Sequence, residues 1–135
     1  MTMDEKVIYE YCVLRYVADV EREEFVNVGL MMMSKRHRWI RCATHIDERR
    51  IAGMFRAPDT GRLRCQLGIF TSDDVPAPDL TVEERYRWLA AVKSAVIQTS
   101  PSHPGIIPLS TPASSTDIGA MLDSKFEELF RRLVM

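Results

Sequence analysis

Val7-Ile8-Tyr9-Glu10-Tyr11-Cys12-Val13-Leu14-Arg15-Tyr16-Val17 decides the fold. It is rich in β-branched and aromatic residues. With a two-residue period, Tyr9, Tyr11, Val13, Arg15 and Val17 share one face, and Ile8, Glu10, Cys12, Leu14 and Tyr16 share the other. A strand apolar on both sides is a central strand. Phe25 to Met33 reads as a second one, because Val26, Val28, Leu30 and Met32 sit in a near-continuous apolar run that suits cover on both faces. Leu30 to Met33 is read as buried core within it. A polar loop of hairpin length, Ser34 to Arg38, leads to a third strand, Trp39 to Thr44. The three form an antiparallel meander.

Asp47 is placed to cap a short helix running to about Arg56, with Ile51, Met54 and Phe55 at the helical interval. After the turn residues Pro58-Asp59-Thr60-Gly61, Leu63, Cys65, Leu67 and Ile69 alternate with Arg62, Arg64, Gln66 and Gly68, the pattern of an edge strand. Asp73 to Leu80 is a loop. Thr81-Val82-Glu83-Glu84 is a capping box, in which Thr81 and Glu84 satisfy each other's free backbone amides. The helix it opens carries a core stripe of Val82, Tyr86, Leu89 and Ala90 and a second stripe of Arg85, Trp88 and Val92. Ser94 to Ser100 is a short strand expected beside Arg15, and Pro101, Pro104 and Gly105 close it with a turn. Residues 106–116 are read as a flexible Pro/Ser-rich loop. Ile118, Leu122, Phe126, Leu129 and Leu133 make a last amphipathic helix over the core.

These elements give an α+β domain: a mainly antiparallel four- or five-stranded sheet with two or three helices packed on one face. At 135 residues the chain is in the single-domain range, long enough to bury roughly two thirds of its unfolded surface. We read 1–135 as one domain. Its 46% hydrophobic and 27% charged content is ordinary globular usage. The N-terminus has no apolar leader and no run approaches the roughly 20 residues of a membrane span, so the reading is cytoplasmic, without membrane contact. Cys12, Cys42 and Cys65 are odd in number and widely spaced, which suits reduced thiols rather than a disulfide framework. The middle of the chain is basic. From Lys35 to Arg64 nine Lys/Arg face three acids, a net +6, and the rest of the chain carries nine basic and sixteen acidic residues, a net -7.

Arg15 and Asn27 stand in apolar strands and need hydrogen-bond partners. Glu24 and Glu10 are candidates for Arg15, and neighbouring backbone or the Ser94 strand for Asn27. Ser94, Gln98 and Ser100 share one face of their strand, with His103 just past the turn, and Arg85 and Lys93 add charge. The candidate binding cluster is therefore Arg15, Glu24, Asn27, Arg85, Lys93, Ser94, Gln98, Ser100 and His103. Ser100, Ser102 and His103 lack a nucleophile elbow or oxyanion-hole motif. His37, His45 and Asp47 match no metal-ligand spacing. No cofactor motif is present. Tyr9, Tyr11, Tyr16, Phe25 and Trp39, near Arg38 and Arg41, would stack bases if they faced solvent, but no RNA-binding signature accompanies them.

Three stretches together resemble a bacterial family, domain of unknown function 3037. They are Tyr11 to Val17 followed by Glu24-Phe25-Val26-Asn27-Val28-Gly29; Glu84-Arg85-Tyr86-Arg87-Trp88-Leu89; and Ser94 to Gly105. Lys93 stands where the family usually has Arg, and Ala18 where it often has Pro. The resemblance brings no activity with it. It implies a small accessory protein beside a HipA-like kinase, hence an interaction or regulatory module. The alternative is a small enzyme handling phosphate, nucleotide or nucleic acid through Arg15, Glu24, Arg85, Gln98 and His103.

Overall fold

The computed structural model describes residues 6–71, 79–91, 96–109 and 115–135. Strand β1, Lys6–Tyr16, runs through the middle of the sheet. Its alternation buries Val7, Tyr9 and Val13 on one side and Cys12, Leu14 and Tyr16 on the other. β2, Val26–Ser34, pairs with it antiparallel, and β3, Trp39–Thr44, pairs with β2, so the expected meander is present.

β2 is buried on both faces, as an inner strand must be. Its pairing has one irregularity. Leu14 lies opposite Gly29 and Arg15 opposite Asn27, so Val28 is an extra residue and β2 carries a bulge. The extra residue changes which side chains face which way: Val26 before the bulge and Val28 in it join Met31 and Met33 after it in one core layer. Gly29 allows the close approach there, because a Cβ would lie 2.8 Å from Leu14 Cδ1 and 3.1 Å from the Ala43 carbonyl.

On its other edge β1 pairs with two short strands, β4, Ile97–Thr99, and β5, His103–Pro108. Gln98 sits opposite Arg15, which places this strand where the sequence put it. The turn expected at Pro101 to Gly105 is instead a break between two pieces of one edge strand, and β5 takes in the start of the stretch read as a loop from residue 106. Thr99 opposes Leu14 and His103 opposes Tyr11, so three residues, Ser100 to Ser102, span the two of β1 between those positions. The Ser100 amide donates to the Val13 carbonyl at 2.8 Å, and the Ser100 Oγ accepts the Val13 amide at 2.9 Å. The side chain thus supplies the acceptor that a ladder carbonyl would otherwise give the Val13 amide. β5 is a strand despite its two prolines because both lie on a sheet edge.

Helices cover both faces of the sheet rather than one. α1, Glu48–Met54, α2, Thr60–Thr71, and α3, Val82–Ala90, pack on the Cys12/Leu14/Tyr16 face through Ile51, Leu63, Leu67, Phe70, Tyr86 and Leu89. α4, Ser115–Leu133, packs on the opposite face, where Leu122, Phe126 and Leu129 meet Tyr9, Val13, Leu30 and Met32. α2 replaces the edge strand expected at Leu63 to Ile69. The alternation there is incidental: Cys65 and Ile69 are exposed, whereas Leu63, Leu67 and Phe70 recur at the helical interval and are buried. Asp59 holds the start of α2 by accepting the Arg62 amide at 2.9 Å. Asp47 does the same for α1 through the Arg50 amide at 3.0 Å. The capping box of Thr81 and Glu84 is complete, at 2.9 and 3.1 Å.

The basic middle and the acidic remainder of the chain meet within the fold. Arg41 on β3 reaches Asp123 at 3.3 Å and Glu127 at 2.5 Å on α4, with its guanidinium 4.5 Å from the Phe126 ring centre. Arg50 donates to the carbonyls of Val134 and Met135, each at 3.4 Å. Val92, Lys93, Ser94, most of the loop expected at Asp73 to Leu80, and residues 110–114 lie outside the described residues.

Candidate functional site

The sheet sorts the residues of the expected polar cluster into separate places. Asn27, Arg15 and Gln98 form one row across β2, β1 and β4. Directly paired residues share a face, so all three lie on the α4 side. Asn27 Nδ2 donates to the Leu133 carbonyl at 2.9 Å, tying the sheet to the C-terminal turn of α4. Its partner is thus a helix-end carbonyl, which needs one. Arg15 stacks its guanidinium 4.2 Å from the Phe25 ring centre, and its Nε is buried without a hydrogen-bond partner. Neither expected carboxylate reaches it: Glu24 pairs with Arg22, and Glu10 lies on the other face.

His103 is on the α4 face but four β1 positions from that row, about 13 Å along the strand. There it packs on Tyr11, with ring centres 5.3 Å apart. Ser100 is buried and committed to the Val13 backbone. Arg85 belongs to α3, on the far side of the sheet, where its charge partly offsets the burial that raises the Cys42 thiol. Arg15, Glu24, Arg85, Gln98 and His103 therefore do not surround one cleft. Nor do the aromatic residues form a stacking platform. Tyr9 and Tyr16 are buried on opposite faces, Tyr16 edge-on to Phe55, and Trp39 lies edge-on to Phe126. Among the described residues no three His, Cys, Asp or Glu side chains are grouped to hold a metal ion, and no helix is long and apolar enough to cross a membrane.

A different constellation is built on the α1–α3 face, where the helices stop short of the β1–β5 end. Glu10 on β1 accepts from Arg87 Nη2 at 2.7 Å and from Ser102 Oγ at 2.9 Å. The Ser102 hydroxyl lies 2.8 Å from the Tyr86 hydroxyl. Arg87 also faces Glu83 at 3.7 Å, and Glu83 faces Lys35 at 3.1 Å. One chain of polar contacts therefore joins the β2–β3 turn, α3, β1 and the break between β4 and β5.

Glu10 and Lys35 of this network line a groove of about 450 Å³, together with Lys6, Ile8, Tyr9, Met33 and Arg36. Ile8 and Ile106 are directly paired across β1 and β5 and remain 54% and 55% exposed. Neighbouring residues on the same face of β1 are covered by α3, so these two mark where the covering layer ends. Gly105, one residue away, faces the α4 side, where the Tyr9 ring lies across it and occupies the space a Cβ would need.

The electrostatics suit holding rather than reacting. The Arg87 hydrogen bond holds the Glu10 carboxyl below its ordinary value, with burial opposing and Ser102 assisting. Each Glu10 oxygen accepts one of these bonds, so the carboxylate is held charged and oriented. Burial pushes the Cys12 thiol up to about 11 and raises the Tyr86 phenol. Cys12 is thus a protonated core thiol, not a nucleophile.

The sequence suggests Glu10 only as a partner for Arg15. The two-residue period excludes that pairing, because positions five apart on a strand face opposite ways. The same rule separates Ser102 from His103. What no local pattern signals is that α3 brings Arg87 over Glu10.

The chain belongs to the family described as "Protein of unknown function (DUF3037)", whose model matches residues 11–134. No curated protein and no solved structure matches it.

Proposed function

We propose that the chain is an interaction or regulatory module that docks a protein partner on the uncovered β1–β5 end of the α1–α3 face. The observation that carries this reading is the exposed cross-strand pair Ile8 and Ile106 beside the groove lined by Glu10, which Arg87 and Ser102 hold in place. Paired isoleucines left half open to water, next to a preorganised charged network, have the make-up of an interface: an apolar centre with a polar rim. The family resemblance directs the search for the partner to a HipA-like kinase in a bacterial cytoplasm.

The reading as a small phosphate-, nucleotide- or nucleic-acid-handling enzyme required five side chains around one cleft. The placement of Arg85 behind the sheet from Arg15, and the pairing of Glu24 with Arg22, weigh against it.

The test is co-purification from the native cell with tagged wild-type protein and with an Ile8→Asp/Ile106→Asp variant. Both side chains are half exposed, so the variant keeps its core and its circular dichroism. A kinase-like partner should accompany the wild type and be lost from the variant. Equal recovery with both would remove this surface as the docking site, and recovery with neither would remove the kinase-partner reading.

A further inference from the structure

The charge around the groove and the build of its edge specify the chemistry of the segment that fits it. Lys6, Lys35 and Arg36 line it against one carboxylate, Glu10, and behind them Arg87 pairs with Glu10 and Glu83 with Lys35. Those carboxylates are taken by Arg87 and Lys35, so among the described residues Lys6 and Arg36 face the groove without an ion pair. The rim is therefore positive and the floor, made of Ile8 and Met33 and continued by Ile106, is aliphatic.

The edge disfavours one common mode of docking. A proline is tolerated in a paired strand only where its missing N–H would point away from the neighbour. Pro104 and Pro108 stand opposite Glu10 and Lys6, with Ile106 between them opposite Ile8. The outward-facing amide positions of β5 are thus 104, 106 and 108, and only Ile106 has an N–H to offer. A partner strand added to this edge would find one amide donor in three positions, so side chains have to supply most of the hold. The floor also lacks the exposed aromatic rings on which single-stranded nucleic acid stacks, since Tyr9 is buried.

We propose that the groove takes an acidic segment of a partner protein, placing a bulky apolar side chain on Ile8 and Ile106 and its Asp or Glu residues against Lys6 and Arg36. This rests on the reading of the groove as a docking surface. Charge complementarity of this kind sets orientation and association rate, and it is screened by salt.

The experiment uses the full chain and three fluorescent probes: a short peptide alternating Glu and Leu, the same peptide with Lys for Glu, and oligo-dT. The acidic peptide should raise anisotropy saturably, shift the Ile8 and Ile106 amide resonances, and weaken by about tenfold or more in Ile106→Asp and in an Arg36→Glu variant. Preferential binding of the Lys peptide, lost in Ile106→Asp, would overturn the acidic occupant and leave the docking surface standing. Preferential binding of oligo-dT, or sedimentation as a dimer broken by Ile106→Asp, would overturn it in favour of nucleic acid or a second copy. No binding by any probe to a monomeric chain would overturn both readings together.

Discussion

Replacing Ser100 by Ala tests whether this residue is a structural splice or a free polar group of a binding site. In the folded chain its Oγ accepts the Val13 amide at 2.9 Å and also contacts the Pro101 carbonyl at 2.9 Å. The alanine variant loses that bond and leaves the Val13 N–H, buried in the middle of β1, with no acceptor. The net hydrogen bond and the orphaned buried donor together come to about 2 kcal/mol. With an unfolding entropy of about 2.1 cal/mol/K per residue, a chain of 135 residues has about 280 cal/mol/K. A loss of about 2 kcal/mol therefore lowers Tm by about 7 °C. Calorimetry and urea titration read the loss, and amide exchange at Val13 locates it, since that proton should exchange faster in the variant. If Tm moved by less than about 2 °C and Val13 exchange were unchanged, Ser100 would not be the splice between β4 and β5, and its burial would need another explanation.

Gly105→Ala should cost about 1–3 kcal/mol by overpacking, because its Cβ falls within the Tyr9 ring; Tyr9→Ala, costly alone, should make the second substitution nearly neutral in a double-mutant cycle by urea titration. Asn27→Ala should destabilise by about 1 kcal/mol and raise amide exchange in the last turn of α4, where Leu133 loses its donor. Thr81→Ala should cost about 1 kcal/mol by removing the cap of α3, read by the same titration. Folding holds the Glu10 carboxyl below its ordinary 4.5, so its stabilising contribution is present above that pH and lost as pH falls through the folded value. Below about pH 4.5 the urea midpoint of the wild type should therefore fall more steeply than that of Glu10→Gln.

The sequence by itself determined the central elements, since their signals are local. The two-residue alternation of β1, the doubly apolar run of β2, the capping box of Thr81 and Glu84 and the stripe of α4 each lie within one element. Their periods follow from backbone geometry. Family membership was legible for a similar reason, because Glu24 to Gly29, Glu84 to Leu89 and Ser94 to Gly105 are short motifs that can be read in order along the chain.

Two local readings failed where the signal was ambiguous. Leu63 to Ile69 fits both a strand and a helix period, and only the core behind Leu63, Leu67 and Phe70 chose the helix. The prolines of β5 read as a turn until β1 supplied an edge on which they lack nothing.

The site was decided by tertiary structure alone. Sequence spacing grouped Arg15, Arg85, Gln98 and His103 by polarity. The sheet, which is one residue thick, then divided them between two faces and two levels. Glu10, Arg87 and Ser102, distant along the chain, came together because α3 packs on the face of the sheet to which Glu10 points and extends Arg87 to it. The Ile8 and Ile106 pair, farther along the same face of the sheet, is left open. Which residues a strand presents to each face is a property of its own period; which of those faces remains uncovered depends on where every other element lies.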